Sequence, residues 1–275
     1  MIGNILKRTF ATKQPVQIQT LQTYFTNSKI LDFRSFPHSN NKVVLFCSHA
    51  SNTLPLGYSW SENDKKNFSE KHWAWDLGAL DASIYLASGL KCTLVHTLYS
   101  RLLIDPNRNI AAEDLINKEG DNIEIELNKD LTKEEKSYRI FNYHKPYYDA
   151  IHEISEKIDP DIVIGIHSFT PNREGEVRKL EVGVEYTNSY DLAKFLCDGM
   201  LEKKYDTQLN EPYRGDLGNA LQQALLEKSE KTRHGAVFEF RNDILLDRSR
   251  APRLKQDAYE VIQNACDNVQ KNFKL

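Results

Sequence analysis

Two histidines end short hydrophobic runs at distant points of the 275-residue chain. His49 ends the run 43–49 before a polar loop, and His167 ends the run 162–167 in the same way. Such runs, rich in β-branched residues and bounded by turn residues, predict buried parallel strands. Ligands of α/β sheets bind beyond the carboxyl ends of the strands. We therefore expect a metal or acid/base site formed by the two histidines. The alternative, which would be the simpler explanation of either histidine by itself, is a hydrogen bond from the imidazole to the backbone of the loop.

A hydrolytic zinc ion takes three protein ligands and leaves a position open for water. His49 and His167 would supply two nitrogen ligands, and the best candidate for a third ligand is Asp76. Asp76 lies early in a predicted helix with inward apolar residues, where an unpaired carboxylate is costly to bury. The alternative is that Asp76 only complements the helix dipole. Asn52, three residues after His49, is a weaker ligand candidate.

The segment 100–108 carries two arginines beyond the end of another predicted strand. Arg101 and Arg108 flank Asp105 and Asn107 in a turn that contains Pro106. Guanidinium groups hold carboxylates through two parallel hydrogen bonds and stay charged when partly buried. We interpret the segment as a clamp for a substrate carboxylate, with ordinary surface arginines as the alternative.

Glu239 lies in an apolar predicted strand between Phe238 and Phe240. Burial disfavours the charged form of a carboxyl group, which suits a general base that acts on water. Arg241 follows two residues later on the same face of the strand. A structural ion pair between Glu239 and Arg241 is therefore an equally good interpretation of the spacing.

Composition excludes several classes of protein. The formal net charge of −3, with basic and acidic residues interspersed, does not predict a nucleic-acid-binding surface. No apolar stretch approaches the roughly 20 residues that cross a bilayer. Nucleotide-binding glycine motifs and the serine-hydrolase elbow are absent from the sequence. The four cysteines are scattered, which is typical of a reducing compartment.

The amino-terminal segment 1–31 contains no acidic residue but includes Lys7, Arg8, Lys13 and Lys29. This pattern is typical of a mitochondrial transit peptide, and the alternative is an ordinary flexible terminus. The expected location is mitochondrial in the first case and cytoplasmic in the second.

Strands and helices alternate through residues 32–275, which predicts one domain with a mostly parallel sheet. Among the predicted helices are 73–88, which Gly89 would stop, 136–158, 218–228 and 253–272. The charged stretch 113–135 shows no period, and we expect a surface excursion there, either a solvated loop or a lid.

Taken together, the chain resembles the N-formylglutamate amidohydrolases, a family of zinc-dependent exopeptidase-like hydrolases. The resemblance extends from about residue 42 to residue 246. Its most specific parts are the arginine segment 100–108 and the His-Ser-Phe-Thr-Pro segment 167–171. The other matching pieces are the segments 48–55, 146–147, 210–213 and 239–243 and the helix containing Asp76.

The resemblance implies a three-layer α/β/α sandwich with a mixed, mostly parallel sheet of the phosphorylase/hydrolase-like type. It implies one divalent metal, usually zinc, held by His49, Asp76 and His167. It assigns catalysis to Glu239 and Arg101, and substrate binding to Arg101, Asn107, Arg108, Tyr213 and Arg241.

The implied reaction is hydrolysis of a formyl or related acyl group from a small-molecule N-acyl amino acid such as N-formylglutamate. The loop 50–52 reads Ala-Ser-Asn, where members acting on formylglutamate often have Ser-Gly-Arg. The acyl group, the amino acid and the oligomeric state therefore stay open. The alternative function is a non-catalytic protein that binds acylated amino acids or peptides.

Overall fold

A mixed sheet of seven strands forms the centre of the computed structural model, which describes residues 31–34, 40, 42–173, 175–214 and 233–272. The strands are β1 (Leu31–Arg34), β2 (Val43–Cys47), β3 (Thr93–Thr97), β6 (Ile162–Phe169), β9 (Val182–Glu185), β10 (Thr207–Leu209) and β11 (His234–Arg241). Two short hairpins lie outside this sheet, β4 (Glu119–Gly120) with β5 (Ile123–Glu124), and β7 (Asn172–Arg173) with β8 (Glu176–Val177).

The strand order is β1-β3-β2-β6-β11-β9-β10. The four central strands β3, β2, β6 and β11 are parallel to one another. Strand β1 runs antiparallel to β3, and β9 runs antiparallel to β11 while pairing in parallel with β10. The expectation of a mixed, mostly parallel sheet is confirmed.

The helices of the described ranges connect these strands. They are α1 (Glu62–Asp64), α2 (Ala79–Leu90), α3 (Lys133–Arg139), α4 (Lys145–Ile158), α5 (Tyr190–Glu202), α6 (Asn242–Leu246) and α7 (Ala251–Asn272). A π-helical turn over Lys65–Ser69 follows α1, and another over Ile140–His144 joins α3 to α4. Strands that alternate with helices along the chain produce a sheet covered on both faces.

The helices lie in two layers because each buried strand presents apolar residues to both faces of the sheet. On one face, helices α2, α5 and α7 pack through residues such as Leu86, Leu196 and Ile262. On the other face, α4 packs Tyr147 and Ile151 against β2, β3 and β6. The three-layer α/β/α sandwich is therefore confirmed.

Helix α2 differs from its predicted bounds at both ends. It begins at Ala79, because Gly78 adopts a left-handed conformation with φ of 81°. It continues through Gly89 to Leu90, and Lys91 provides the left-handed residue that ends it. A side chain at Gly89 would lie 2.8 Å from the Tyr259 ring, so this glycine permits close packing of α2 on α7. The predicted role of Gly89 as a helix stop was wrong.

The charged stretch 113–135 is more ordered than expected. It contains two 3₁₀ turns, Glu113–Leu115 and Glu126–Asn128, and the β4–β5 hairpin. Leu115 and Ile125 are buried, and the Asn128 amide donates to the carbonyls of Leu102 and Asn117. These contacts attach the stretch to the arginine segment 100–108.

Residues 1–30 of the basic amino-terminal segment 1–31 and the whole predicted helix 218–228 lie outside the described residues. Within the described ranges, no helix is both long enough and apolar enough to span a membrane.

Candidate active site

Three predicted metal ligands meet at the carboxyl end of the central strands. His49, Asp76 and His167 are each at most 3% exposed, and one ligand atom from each lies within 4.8 Å of the others. Nδ1 of His167 lies 2.8 Å from Oδ2 of Asp76, and Nδ1 of His49 lies 3.4 Å from the same oxygen. The two imidazole rings meet edge to face, with centroids 4.8 Å apart. The structure thus forms the predicted ligand group.

Asp76 reaches this group from a turn and not from a helix, which corrects the sequence-based interpretation. Its backbone N–H donates to the carbonyl of His49, so the turn is attached to the loop after β2. The backbone N–H of Ser168 donates to Oδ2 of Asp76 at 3.2 Å. Helix α2 begins three residues later, and the two shortest hydrogen bonds of the Asp76 carboxylate go to His167 and Ser168 and not to the first turn of that helix.

Asp105 fixes the orientation of His49. Its Oδ1 lies 2.8 Å from Nε2 of His49, and it also accepts the backbone N–H of Asn107 at 2.8 Å. Arg101 lies between two carboxylates, at 3.3 Å from Asp105 and 3.4 Å from Asp76. A histidine held at one ring nitrogen by a carboxylate presents the other nitrogen to a metal.

The two buried aspartates are kept ionised by their neighbours. Burial alone raises the pKa of Asp76, but His49 and His167 outweigh it and hold the pKa well below its usual range. Burial likewise raises the pKa of Asp105, and the opposing effects of His49 and Arg101 bring it well below the ordinary value. Ionised carboxylates beside imidazoles are the form that metal ligation requires.

The donor set fits zinc. Nδ1 of His49 is buried and has no hydrogen-bond partner among the described residues, although it faces Asp76. Two imidazole nitrogens and one carboxylate oxygen form a ligand set typical of catalytic zinc, with a fourth position left for substrate or water. An unpaired buried nitrogen is costly, and a metal would satisfy it.

Asp105→Asn should weaken metal binding without unfolding the protein. An amide can keep the shape and the bond from Asn107, but it loses the charge that orients His49. Loss of such an outer carboxylate lowers metal affinity by roughly 10- to 100-fold. Competition with a chromophoric chelator measures this affinity, and Asp130→Asn on an exposed turn is the matched control. Unchanged affinity in Asp105→Asn would show that His49 is oriented by other contacts.

Glu239 lies beside the ligand group on the adjacent strand. In the register of β6 and β11 it is directly opposite His167, so both side chains point to the same face. Glu239 is 6% exposed, and its Oε2 has no hydrogen-bond partner among the described residues. Burial raises the pKa of Glu239 well above its usual range, and Glu185 adds to the effect. Such a carboxyl group is suited to accept a proton.

Arg241 does not pair with Glu239, so the structural ion-pair alternative was wrong. Its guanidinium bonds to Asp243, with Nε 2.8 Å from Oδ1, and donates to the backbone carbonyl of Arg178 at 2.7 Å. The guanidinium is thus bonded to the chain segment before β9 and to Asp243, and not to the Glu239 carboxylate. Its predicted contact with substrate stays a prediction.

Asn52 is engaged away from the ligand group. Its amide nitrogen donates to the carbonyl of Ser69 at 2.8 Å and to the Glu70 side chain at 3.3 Å. Asp76, and not Asn52, lies with the two histidines.

Three further predicted substrate-binding residues are Asn107, Arg108 and Tyr213. Arg108 is paired with Asp114, at 2.6 Å from Nε to Oδ2, and Oδ1 of Asn107 is buried without a partner among the described residues. Tyr213 is 42% exposed, but partial burial of its hydroxyl and the charge of Glu239 raise its pKa to about 12. The charge of Arg108 lowers the pKa of Asp105, and the charges of Glu239 and Asp76 raise that of Tyr213, so both residues lie close enough to interact with the site. Contact of all three with substrate stays a prediction.

Three residues near the centre were missed by the sequence analysis. Glu185 is buried at the end of β9, and burial raises its pKa to about 7. Nδ1 of His72 lies 3.6 Å from Asp76, and burial lowers the pKa of His72 to about 4. Arg178 acts through its charge on both Glu239 and Tyr213. Only the alternation of Val182–Glu185 could have indicated Glu185.

The fold and this site define a three-layer α/β protein with a buried group of side chains able to hold a metal ion. A family model for N-formylglutamate amidohydrolase matches residues 41–246. The chain therefore belongs to the N-formylglutamate amidohydrolase family, and it is a hydrolase that acts on amide bonds in a small-molecule substrate.

Solved structures show the same architecture. A gene product of Agrobacterium tumefaciens is 26% identical, with a TM-score of 0.78, over 89% of this chain and 98% of that one. An N-formylglutamate amidohydrolase from Ralstonia eutropha JMP134 is 16% identical, with a TM-score of 0.66, over 88% of this chain and 98% of that one. The second likeness concerns the fold alone. Comparison with curated protein sequences gives no match.

Proposed function

We propose that the protein is a zinc-dependent amidohydrolase that removes a formyl or related acyl group from an N-acylated amino acid. One observation carries the proposal: Glu239 lies directly opposite His167 in the strand register, beside the buried group of His49, Asp76 and His167. A ligand group and an unpartnered carboxyl group on one sheet face are the two parts that metal-assisted hydrolysis needs.

His49, Asp76 and His167 would hold the zinc ion, which when bound polarises the scissile carbonyl and lowers the pKa of water. Glu239 accepts a proton from the attacking water at its carboxylate. The same carboxyl group then returns the proton to the nitrogen of the leaving amine. Burial of Glu239 supports this cycle, because it raises the pKa of the carboxyl group and so makes the carboxylate a stronger proton acceptor.

Arg101 and Arg108 would anchor the carboxylate of the amino acid. Arg101 contacts Asp76 and Asp105 only at 3.3–3.4 Å, which leaves several of its five donors for a substrate. The partnerless Oδ1 of Asn107 and the hydroxyl of Tyr213 are further polar groups for orienting the acylated amino acid.

An activity screen tests the reaction. Zinc-loaded protein is assayed with N-formyl, N-acetyl and N-succinyl amino acids, and amine release is measured. We expect hydrolysis of at least one series, loss of activity after dialysis against a chelator, and recovery when zinc is added. Activity that survives complete metal removal would contradict the proposed mechanism.

Arg108→Ala should mainly raise KM. Hydrogen bonds to charged groups contribute about 1.5–3 kcal/mol, which corresponds to a rise in KM of roughly 10- to 100-fold. The value of kcat should change less, because an anchor remote from the scissile bond acts in ground and transition states alike. Steady-state kinetics measure both constants. Arg248→Ala, at an exposed position, is the control, and an unchanged KM in Arg108→Ala would remove Arg108 from the clamp.

A further inference from the structure

Glu185 is a second buried carboxyl group on the face of the sheet that carries Glu239. In the register of β9 and β11, Gly183 lies opposite Glu239, and Glu185 lies opposite Val237. Residues opposite one another on neighbouring strands share a face, so both glutamates point toward the candidate active site. Val237 precedes Glu239 by two residues in β11. Glu185 therefore lies deeper than Glu239 along the strand direction, by roughly 7 Å.

The Glu185 carboxyl group lacks the partners that a buried acid normally has. It is 6% exposed, and its Oε1 has no hydrogen-bond partner among the described residues. Buried carboxylates are ordinarily paired or fully hydrogen-bonded, since an unpaired one is costly. The mechanism proposed above does not use Glu185. A partner from outside the chain would satisfy it.

Charges of both signs act on the Glu185 carboxyl group. Burial raises its pKa, Arg108 opposes this shift, and Asp76 adds to it. Arg108 itself is already paired with Asp114 at 2.6 Å. Glu239 also lies close enough for Glu185 to raise its pKa. A cation placed between these acids would relieve their mutual repulsion and recover the desolvation cost of Glu185.

We propose that Glu185 forms a subsite for a positively charged side chain of the acylated amino acid. The inference rests on the proposed function and narrows its substrate class to N-acyl derivatives of basic amino acids. The spacing agrees with such a substrate. An extended lysine or ornithine side chain spans roughly 5–6 Å from its α-carbon, counted over single bonds of about 1.5 Å. A scissile amide beside Glu239 would therefore place the terminal ammonium near Glu185.

Three substrates separate charge from length: Nα-formyl-lysine, Nα-formyl-norleucine and N-formylglutamate. Zinc-loaded wild-type protein should prefer formyl-lysine over formyl-norleucine in kcat/KM by roughly 10- to 100-fold, the value of a hydrogen bond to a charged group. Glu185→Gln should remove that preference. The kcat/KM for formyl-norleucine should stay within about threefold of the wild-type value, because norleucine has no charged group that Glu185 could contact. Glu185→Asp should keep part of the preference. Glu202→Gln, at an exposed position of α5, is the matched control.

Two results would overturn the subsite. An equal loss for all three substrates in Glu185→Gln would indicate a role in proton transfer, and a preference that persists in this variant would place the cation elsewhere. Isothermal titration calorimetry with the same three compounds measures binding even if none of them is hydrolysed. Binding of formyl-lysine that depends on Glu185, without hydrolysis of any compound, would support the subsite and contradict the proposed reaction. If formyl-norleucine or formylglutamate is hydrolysed at least as fast as formyl-lysine, the result would support the proposed reaction and contradict the subsite.

Discussion

His167→Ala and His49→Ala are each expected to lose stoichiometric zinc and with it all measurable hydrolysis. Each imidazole supplies one of three ligands in the described group, and an alanine leaves only two. Three protein ligands are the usual number at a catalytic zinc ion. Metal content is measured by plasma mass spectrometry on protein loaded with zinc and then desalted, and hydrolysis is measured on the same sample.

The fold of both variants should persist, since the sheet around these histidines is held by other residues. His167 lies in the fully buried strand β6, where apolar neighbours such as Ile164 and Ile166 keep their packing. His152→Ala on helix α4, where the imidazole is 36% exposed, is the matched control and should keep full metal content. Full zinc occupancy in either active-site variant, at an unchanged melting temperature, would show that the ligand group is assigned wrongly.

Hydrophobic pattern and turn residues were enough to predict the sheet and its layers. The β-branched runs that became β2 and β6 are buried on both faces, which is why they lack the alternation of a half-exposed strand. Their parallel pairing brings His49 and His167 together, and this follows from topology without knowledge of any contact. The ligand histidines were therefore predictable from sequence.

The sequence was less informative where tertiary contacts override local preference. Asp76 was expected in a helix because the residues after it are periodic, but its N–H bonds to the carbonyl of His49 and the helix begins after Gly78. The spacing of Glu239 and Arg241 suggested an ion pair between them, but the side chain of Arg241 pairs with Asp243 instead. Glu185 illustrates the same limit, since its position depends on the antiparallel register of β9, which only the folded sheet defines.

The Asp105–His49 bond shows how one segment can serve two roles. In the sequence, Asp105 belongs to an arginine segment that suggests substrate binding, but the folded chain turns its carboxylate onto a ligand histidine. Arg101 then bridges Asp105 and Asp76 and links the predicted substrate clamp to the ligand group. A change in this segment should therefore affect metal affinity as well as KM, and Arg108→Ala isolates the effect on KM better than Arg101→Ala does.

Glu239→Gln is expected to lower kcat by about 10²- to 10⁴-fold, the usual contribution of a positioned acid/base group. The amide keeps the shape of the side chain and its place opposite His167, but it cannot accept the proton of the attacking water. Zinc content and KM should stay close to the wild-type values, because Glu239 is not in the ligand group.

The melting temperature separates this outcome from a structural role. Glu239 has a buried, partnerless Oε2, and Arg241 is bound to Asp243, so removal of the charge breaks no ion pair of the described residues. Burial of a carboxylate disfavours its charged form, and an uncharged glutamine should therefore leave the melting temperature unchanged or raise it. Glu202→Gln is the exposed control. A fully active Glu239→Gln variant would exclude the general-base role, and a lower melting temperature with an intact rate per folded molecule would assign Glu239 to structure instead.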